Sequence, residues 1–348
     1  GTRASVFCDT CTAPRALHIV PVSFGSAGEQ SPSLKWKSPC QALPNLTSVS
    51  NLICFTATHL RYNLAMLNLS TFEKIDYLVI GHISLDITPA GEQLGGTAAY
   101  AALTARALGL RVGVVTSFNP DDISLEAFKD ILVYGFPSKE TTSFEIDDSP
   151  TNRQLMLKGR AAQIQFKQVP EAWQRAPIIH LGPIVQEIDS QLPAGFAPAL
   201  LGLTPQGWVR SWGPDGHVEP KKWSQMEASL NKASAAVLSI EDIGGDEEII
   251  EEISLASRVL ALTEGNAGVR IYWNHDLRRF PAPSMNVVDT TGAGDIFAAA
   301  FFIRLHSTRD PWEAARFATR LATFSVTRRG LASIPTEEEI QQCQMEVY

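Results

Sequence analysis

Cysteine is nearly absent from most of this chain. Four of its five cysteines, Cys8, Cys11, Cys40 and Cys54, lie in the first 65 residues, and only Cys343 follows them. A disulfide scaffold is thereby excluded, and a reducing compartment suits the rest. Long hydrophobic runs are missing too. The longest, Ile296 to Ile303, falls far short of the roughly 20 residues a spanning helix needs. Basic charge is in deficit, with 29 Lys and Arg against 37 Asp and Glu, a net of −8. That balance argues against a nucleic-acid coat or an anionic membrane as partner. The seven histidines are scattered without a His-x-x-x-His spacing. There is no Gly-x-Gly-x-x-Gly fingerprint, no P-loop and no internal repeat.

What is present is enough for a large core. The chain has 348 residues, 45% of them hydrophobic and 19% charged, which excludes global disorder. Residues 1–65 stand apart, being rich in Ser, Thr, Pro and Leu, poor in acids and without a sustained period. They read as a disordered leader, either a transit peptide or a non-native stretch ahead of a start at Met66, the first methionine. The lack of an amphipathic face favours the second reading. Cys8-x-x-Cys11 has no second close pair, so no metal or redox role is expected. The expected location is the cytoplasm, or an organelle if the leader is a transit peptide.

From residue 75 onward strands alternate with helices. Strands are expected at 76–80, 112–116, 177–181, 199–203, 235–240 and 258–263. Helices are expected at 97–108, 124–131, 187–192, 221–231, 246–256, 293–306 and 311–327, with a last one opened by the capping box Thr336-x-x-Glu339. This is the pattern of an α/β, doubly wound, mostly parallel sheet with helices on both faces, whose ligands sit beyond the carboxyl ends of the strands. Three extended segments, Thr141–Ile146, Arg153–Leu157 and Ala162–Phe166, interrupt the alternation. They read as a small antiparallel flap or an ordinary edge meander.

The strongest chemical signal is Val288-Asp-Thr-Thr-Gly-Ala-Gly-Asp295, directly before an apolar helix. Glycines at a helix mouth let backbone amides face a ligand, and with the helix dipole they form an anion site. An aspartate at the same mouth repels phosphate but can take a proton from an attacking hydroxyl. Anion hole and base together are what phosphoryl transfer to an alcohol requires. The plainer alternative is Asp295 as an N-terminal cap beside a glycine turn.

Asp289-Thr-Thr-Gly-Ala-Gly-Asp295 resembles the second signature of the ribokinase-like, or PfkB, carbohydrate kinases. Leu94-Gly-Gly-Thr-Ala-Ala-Tyr100 resembles the first, and the likeness covers about residues 75–340. It implies an ATP-dependent kinase of a small sugar, polyol or cyclitol. Asp295 would be the catalytic base, and Gly292, Ala293 and Gly294 the amides on the transferring phosphate. Asp86, Gly95, Gly96, Tyr100 and Arg153 would meet the acceptor, with Gly95 and Gly96 as the hinge of a β lid formed from about 85–95 and 141–166. Thr263, Gly265, Gly268, Ala322 and Ser239 would line the nucleotide. Asp242, Asp289 and Thr291 are the candidate metal residues. Mg²⁺ is implied, and so is a monovalent cation such as K⁺ near Asp289, Thr291, Ser325, Gly330 and Ser333. The lid would also offer a surface for pairing two copies.

Two departures from the family pattern stand out. An Asn-x-x-Glu run of many relatives is replaced by Ser239-x-x-Asp242, which keeps oxygen donors at altered positions. Tyr100 stands where pentose-type relatives hold an asparagine, which argues against ribose and for another polyol, inositol among them. A catalytically silent relative acting as scaffold or regulator is the alternative from another class. His82 and His180 at strand ends are expected to be structural, and Trp208, Trp212 and Trp223 to be packing anchors.

Overall fold

The computed structural model describes residues 73–89, 91–147 and 154–345. Residues 1–65, read as a leader, and Arg153, read as a substrate contact, lie outside the described residues. Among the described residues the strands are β1 (Tyr77–Ile80), β2 (Ser84–Thr88), β3 (Gly91–Gly95), β4 (Val112–Phe118), β5 (Leu132–Pro137), β6 (Ser143–Asp147), β7 (Gln154–Gly159), β8 (Ile178–Leu181), β9 (Leu200–Leu203), β10 (Arg210–Trp212), β11 (Val218–Pro220), β12 (Ala235–Ser239), β13 (Val259–Thr263), β14 (Val269–Trp273) and β15 (Asp276–Phe280). The α-helices are α1 (Thr97–Ala107), α2 (Met226–Leu230), α3 (Glu247–Ala256), α4 (Ala293–Thr308), α5 (Pro311–Ser325) and α6 (Glu337–Met345).

The main sheet runs β15-β14-β13-β12-β9-β8-β1-β4-β5. It is parallel from β13 through β5, and an antiparallel hairpin, β14–β15, closes one edge. Its inner strands are apolar on both sides because both faces are covered. Along β1, Tyr77 and Val79 enter one core while Leu78 and Ile80 enter the other, as the two-residue period of a strand demands. The first core is roofed by α1, α4 and α5. Helix α4 is buried at every residue from Ile296 to Phe302, and α1 presents Ala98, Ala99, Ala101 and Ala102, small enough for close helix approach. The second core holds Trp173, Trp208, Trp223 and, from α3, Ile250 and Ile253.

Several expectations need correction. Residues 124–131 form only a 3₁₀ turn at Glu126–Phe128, and 187–192 is not helical, the turn there beginning at Leu192. The 221–231 helix shrinks to α2. Strand β5 went unread because Gly135 and Pro137 punctuate it, which an edge position tolerates. The β14–β15 hairpin turns on Asn274 and His275, with φ 52 and 63, so both take left-handed backbone without the usual glycine. The flap is a four-stranded sheet, β3-β2-β6-β7, and not a purely antiparallel one, since β2 pairs β6 in parallel. Segment 162–166 adds no strand to it and contributes one bridge, Ile164 to Ile188. The capping box is present: Glu339 N–H donates to Thr336 Oγ1 at 3.3 Å, and Thr336 N–H to Glu339 at 2.9 Å. No helix among the described residues is long and apolar enough to cross a membrane.

Candidate active site

A cavity of about 1020 Å³ opens at the carboxyl ends of β9, β12 and β13, between the lid sheet and the mouth of α4. Gly292 caps α4 with φ 78, and the ring of Tyr100 packs where its Cβ would be, so only glycine fits. Ala293 donates its amide to Thr290 O at 3.2 Å. Gly294 differs. Its φ is ordinary and a Cβ there would meet no protein atom, yet it faces the cavity. The protein's own packing does not demand this glycine; it leaves open the space a ligand would take.

Asp295 follows in the first turn of α4 and lines the same cavity. Burial pushes its carboxyl up to about 6, and the nearby charges of Asp242 and Asp86 push the same way. A hydrogen bond from the Thr97 side chain and the charge of Arg210 oppose that rise. Thr97 opens α1, itself buried, and Gly96 before it takes φ 84, where a Cβ would stand 2.6 Å from His82 O. The two glycine signatures therefore meet: one carries the acid and the other holds it.

Asp86 in β2 is buried, accepts from Ser84 Oγ at 3.1 Å and lines the cavity. Its carboxylate fills the space beside Gly95. Gly95 thus makes room for Asp86 and does not itself line the cavity, whereas Gly96 does. Tyr100 lines it but is 1% exposed, so it braces the loop at Gly292 and offers the acceptor little free wall. Thr263, Gly265, Gly268 and Ala322 also line the cavity, as do Ala282, Pro283, Met285 and Val287.

Ser239 and Asp242 face the cavity as expected, but as a capped turn. Ser239 Oγ accepts from Glu241 N–H at 3.3 Å, and Asp242 accepts from Ser239 N–H at 3.4 Å. Asp242 also pairs with Arg210 at 3.1 Å. Asp289 does not line the cavity. Its carboxylate accepts from Thr291 N–H at 2.9 Å and Gly330 N–H at 3.3 Å, tying the loop before α4 to the turn after α5. Thr291 does line the cavity. The described residues contain no cluster of three His, Cys, Asp or Glu side chains arranged to hold a metal. Arg210, Gln206 and Thr97 went unread as site residues: each reaches the cavity through pairings the linear order does not show.

The family model for pfkB family carbohydrate kinases matches residues 229–338. Over that stretch the chain is similar to the PfkB, ribokinase-like kinases. A cytidine kinase of Thermococcus kodakarensis is 26% identical over 284 residues, covering 75% of this chain and 99% of that one. A ribokinase of Bacillus subtilis is 39% identical over 95 residues, which is 27% of this chain and about a third (32%) of the relative. Among solved structures, a pyrophosphate-dependent kinase in the ribokinase family, complexed with a pyrophosphate analogue and myo-inositol, superposes with a TM-score of 0.66. Its identity is 20%, and the match covers 77% of this chain and 99% of that one. The PfkB fold read from the sequence is the fold observed.

Proposed function

We propose that this protein moves the γ-phosphate of ATP to a hydroxyl of a small sugar or cyclitol, with Asp295 as the base. The observation that carries this reading is Asp295 itself, held by Thr97 at the cavity face of α4 beside a glycine whose open side nothing in the protein fills. A carboxyl near 6 is ionised at neutral pH yet a better proton acceptor than an ordinary carboxylate. It takes the acceptor's proton as the hydroxyl oxygen attacks. The Gly292 and Gly294 amides and the α4 dipole stabilise charge on the phosphoryl group, while the Ala293 amide is already given to Thr290 O.

The donor end favours a nucleotide over a bare phosphate chain. Met285 and Val287 are 38% and 57% exposed and line the cavity together with Ala322, apolar surface suited to a purine and wasted on an inorganic donor. A Mg²⁺ ion would neutralise the phosphate oxygens. Glu241 would hold such an ion through water, and Asp242 would do so only by sharing the carboxylate that Arg210 contacts at 3.1 Å, since Mg²⁺ keeps several waters and needs few protein ligands. For the monovalent cation, Ser333 Oγ is buried without a hydrogen-bond partner near Gly330, an oxygen left over for a ligand.

The acceptor end combines two carboxylates, Asp86 and Asp295, with apolar lid side chains Phe144, Ile146 and Leu155. Carboxylates grip hydroxyls and the lid covers a C–H face, which suits a cyclitol ring. The test is an ATP-consumption screen with myo-inositol, fructose, ribose, adenosine, cytidine and 2-keto-3-deoxygluconate. A cyclitol or hexose is expected to give the highest kcat/KM. Ribose in first place would overturn the acceptor assignment, and no turnover with any acceptor would support the silent-relative alternative.

A further inference from the structure

Below the cavity runs a line of buried polar side chains that the chemistry above does not use. Tyr77 lies in β1, His180 in β8 and Thr204 directly after β9, three neighbouring strands. Tyr77 Oη and His180 Nδ1 are 2.7 Å apart, and His180 Nε2 and Thr204 Oγ1 are 2.9 Å apart. Tyr77 and His180 are wholly buried, and the Phe302 ring edges the imidazole at 5.0 Å. Thr204 is 7% exposed and lines the cavity.

The direction of these hydrogen bonds follows from counting protons. Burial holds His180 neutral, its imidazole pushed down to about 3, and keeps Tyr77 protonated. A neutral imidazole carries one N–H. Tyr77 has one hydroxyl hydrogen, and a buried hydroxyl without an acceptor is costly, so it donates to Nδ1. The ring proton then resides on Nε2 and is donated to Thr204 Oγ1. Thr204 therefore accepts from behind, and its own proton is directed forward into the cavity.

We infer that Tyr77 and His180 form a tautomer relay that sets Thr204 as a hydrogen-bond donor to a phosphoryl oxygen bound beside Asp295. The location supports this. Thr204 Oγ1 lies 3.2 Å from where a Cβ on Gly182 would stand, and Thr97, the partner of Asp295, packs against the same glycine. Gln206 and Arg210 follow on the same segment and line the same wall. Gln206 and Arg210 already donate to the Asp242 carboxylate, at 3.5 and 3.1 Å, which leaves the Thr204 hydroxyl as the donor of this segment not given to a carboxylate, and phosphoryl oxygens offer only lone pairs. The assignment rests on the phosphotransferase reading above.

The test compares Thr204→Val, Thr204→Ser and Tyr77→Phe in the full chain. The probes are a non-hydrolysable ATP analogue and inorganic pyrophosphate, titrated by calorimetry, with turnover measured alongside. Thr204→Val should weaken probe binding or lower kcat by about 10–100-fold, the range for a hydrogen bond to a charged group, and Thr204→Ser should restore it. Tyr77→Phe frees the imidazole proton to move to Nδ1, which turns the Thr204 proton inward. Its loss should therefore be absent when Thr204 is already Val. Nitrogen-15 shifts of wild-type His180 should show the Nε2–H form. Near-wild-type binding and turnover in Thr204→Val, independent effects of the two substitutions, or an Nδ1–H imidazole would each overturn the relay. A merely structural role would lower Tm in Tyr77→Phe and leave probe binding unchanged. Wild-type protein that binds the probes but phosphorylates nothing would sink the functional reading, while the binding comparison still decides the relay.

Discussion

Replacing Asp295 by Asn should disable this protein and stabilise it at the same time. The folded carboxyl titrates near 6 against an ordinary value of 3.8. That gap of about two pH units corresponds to an upper figure of about 3 kcal/mol at about 1.4 kcal/mol per unit, reduced by whatever solvent reaches the group. The sign follows from linkage. Below about pH 4 the carboxyl is protonated whether folded or unfolded and carries no penalty. As pH rises through 6 the unfolded chain is ionised freely, while the folded chain must ionise a desolvated group, so stability is lost. Asn does not titrate and escapes the loss. At pH 7.5 the variant should melt several degrees above wild type, at about 2–4 °C per kcal/mol for a chain of this size, and the gain should vanish at pH 3.5. Turnover should fall by about 10²–10⁴, the usual worth of a general base, with ATP affinity within severalfold. Wild-type kcat/KM should climb with pH up to about 6 and level off above it. The assays are a coupled kinase assay and thermal melts across pH. Gly292, and not Asp295, caps α4; if Asp295 only stabilised the first turn of that helix, turnover would be unchanged in the Asn variant. A fully active variant, or one whose Tm drops at neutral pH, would refute the reasoning.

Other outcomes follow from neighbouring residues. Gly294→Val should fold normally, because a Cβ there meets open space, yet weaken nucleotide binding and cut kcat by about 10²–10³ by filling the anion site. Thr97→Ala removes the hydrogen bond that holds the Asp295 carboxyl down, so the midpoint of the pH–rate profile should move upward, and Thr97→Ser should restore it. Gly292→Ala should lose several degrees of Tm, since it strains a φ of 78 and strikes the Tyr100 ring. A chain beginning at Met66 should match the full chain in Tm and turnover, as the composition of 1–65 implies; failure of that chain to fold would show the leader to be structural.

How much could be read in advance depends on distance along the chain. Asp289 to Asp295 is a local device: a turn, a glycine cap and the first turn of a helix, all set by consecutive residues. Its chemistry was legible for that reason. So was the two-faced sheet, because alternating apolar residues in β1 and continuous apolar runs in α4 state their own burial. Short 3₁₀ turns and edge strands were not legible, since glycine, proline and an Asn-His turn carry weak local signals and neighbouring elements decide their form. The supporting residues were beyond reach for a stronger reason. Tyr77 meets His180 across 103 positions, and Arg210 meets Asp242 across 32. Thr97 reaches Asp295 only because α1 and α4 pack on one face of the sheet. Such pairings depend on strand order, which periodicity does not encode. The sequence by itself determined the layered fold and the local form of the Asp289–Asp295 loop. Tertiary structure decided which buried groups set the proton affinity of that acid, because desolvation and Coulomb terms act through space and take no account of position along the chain.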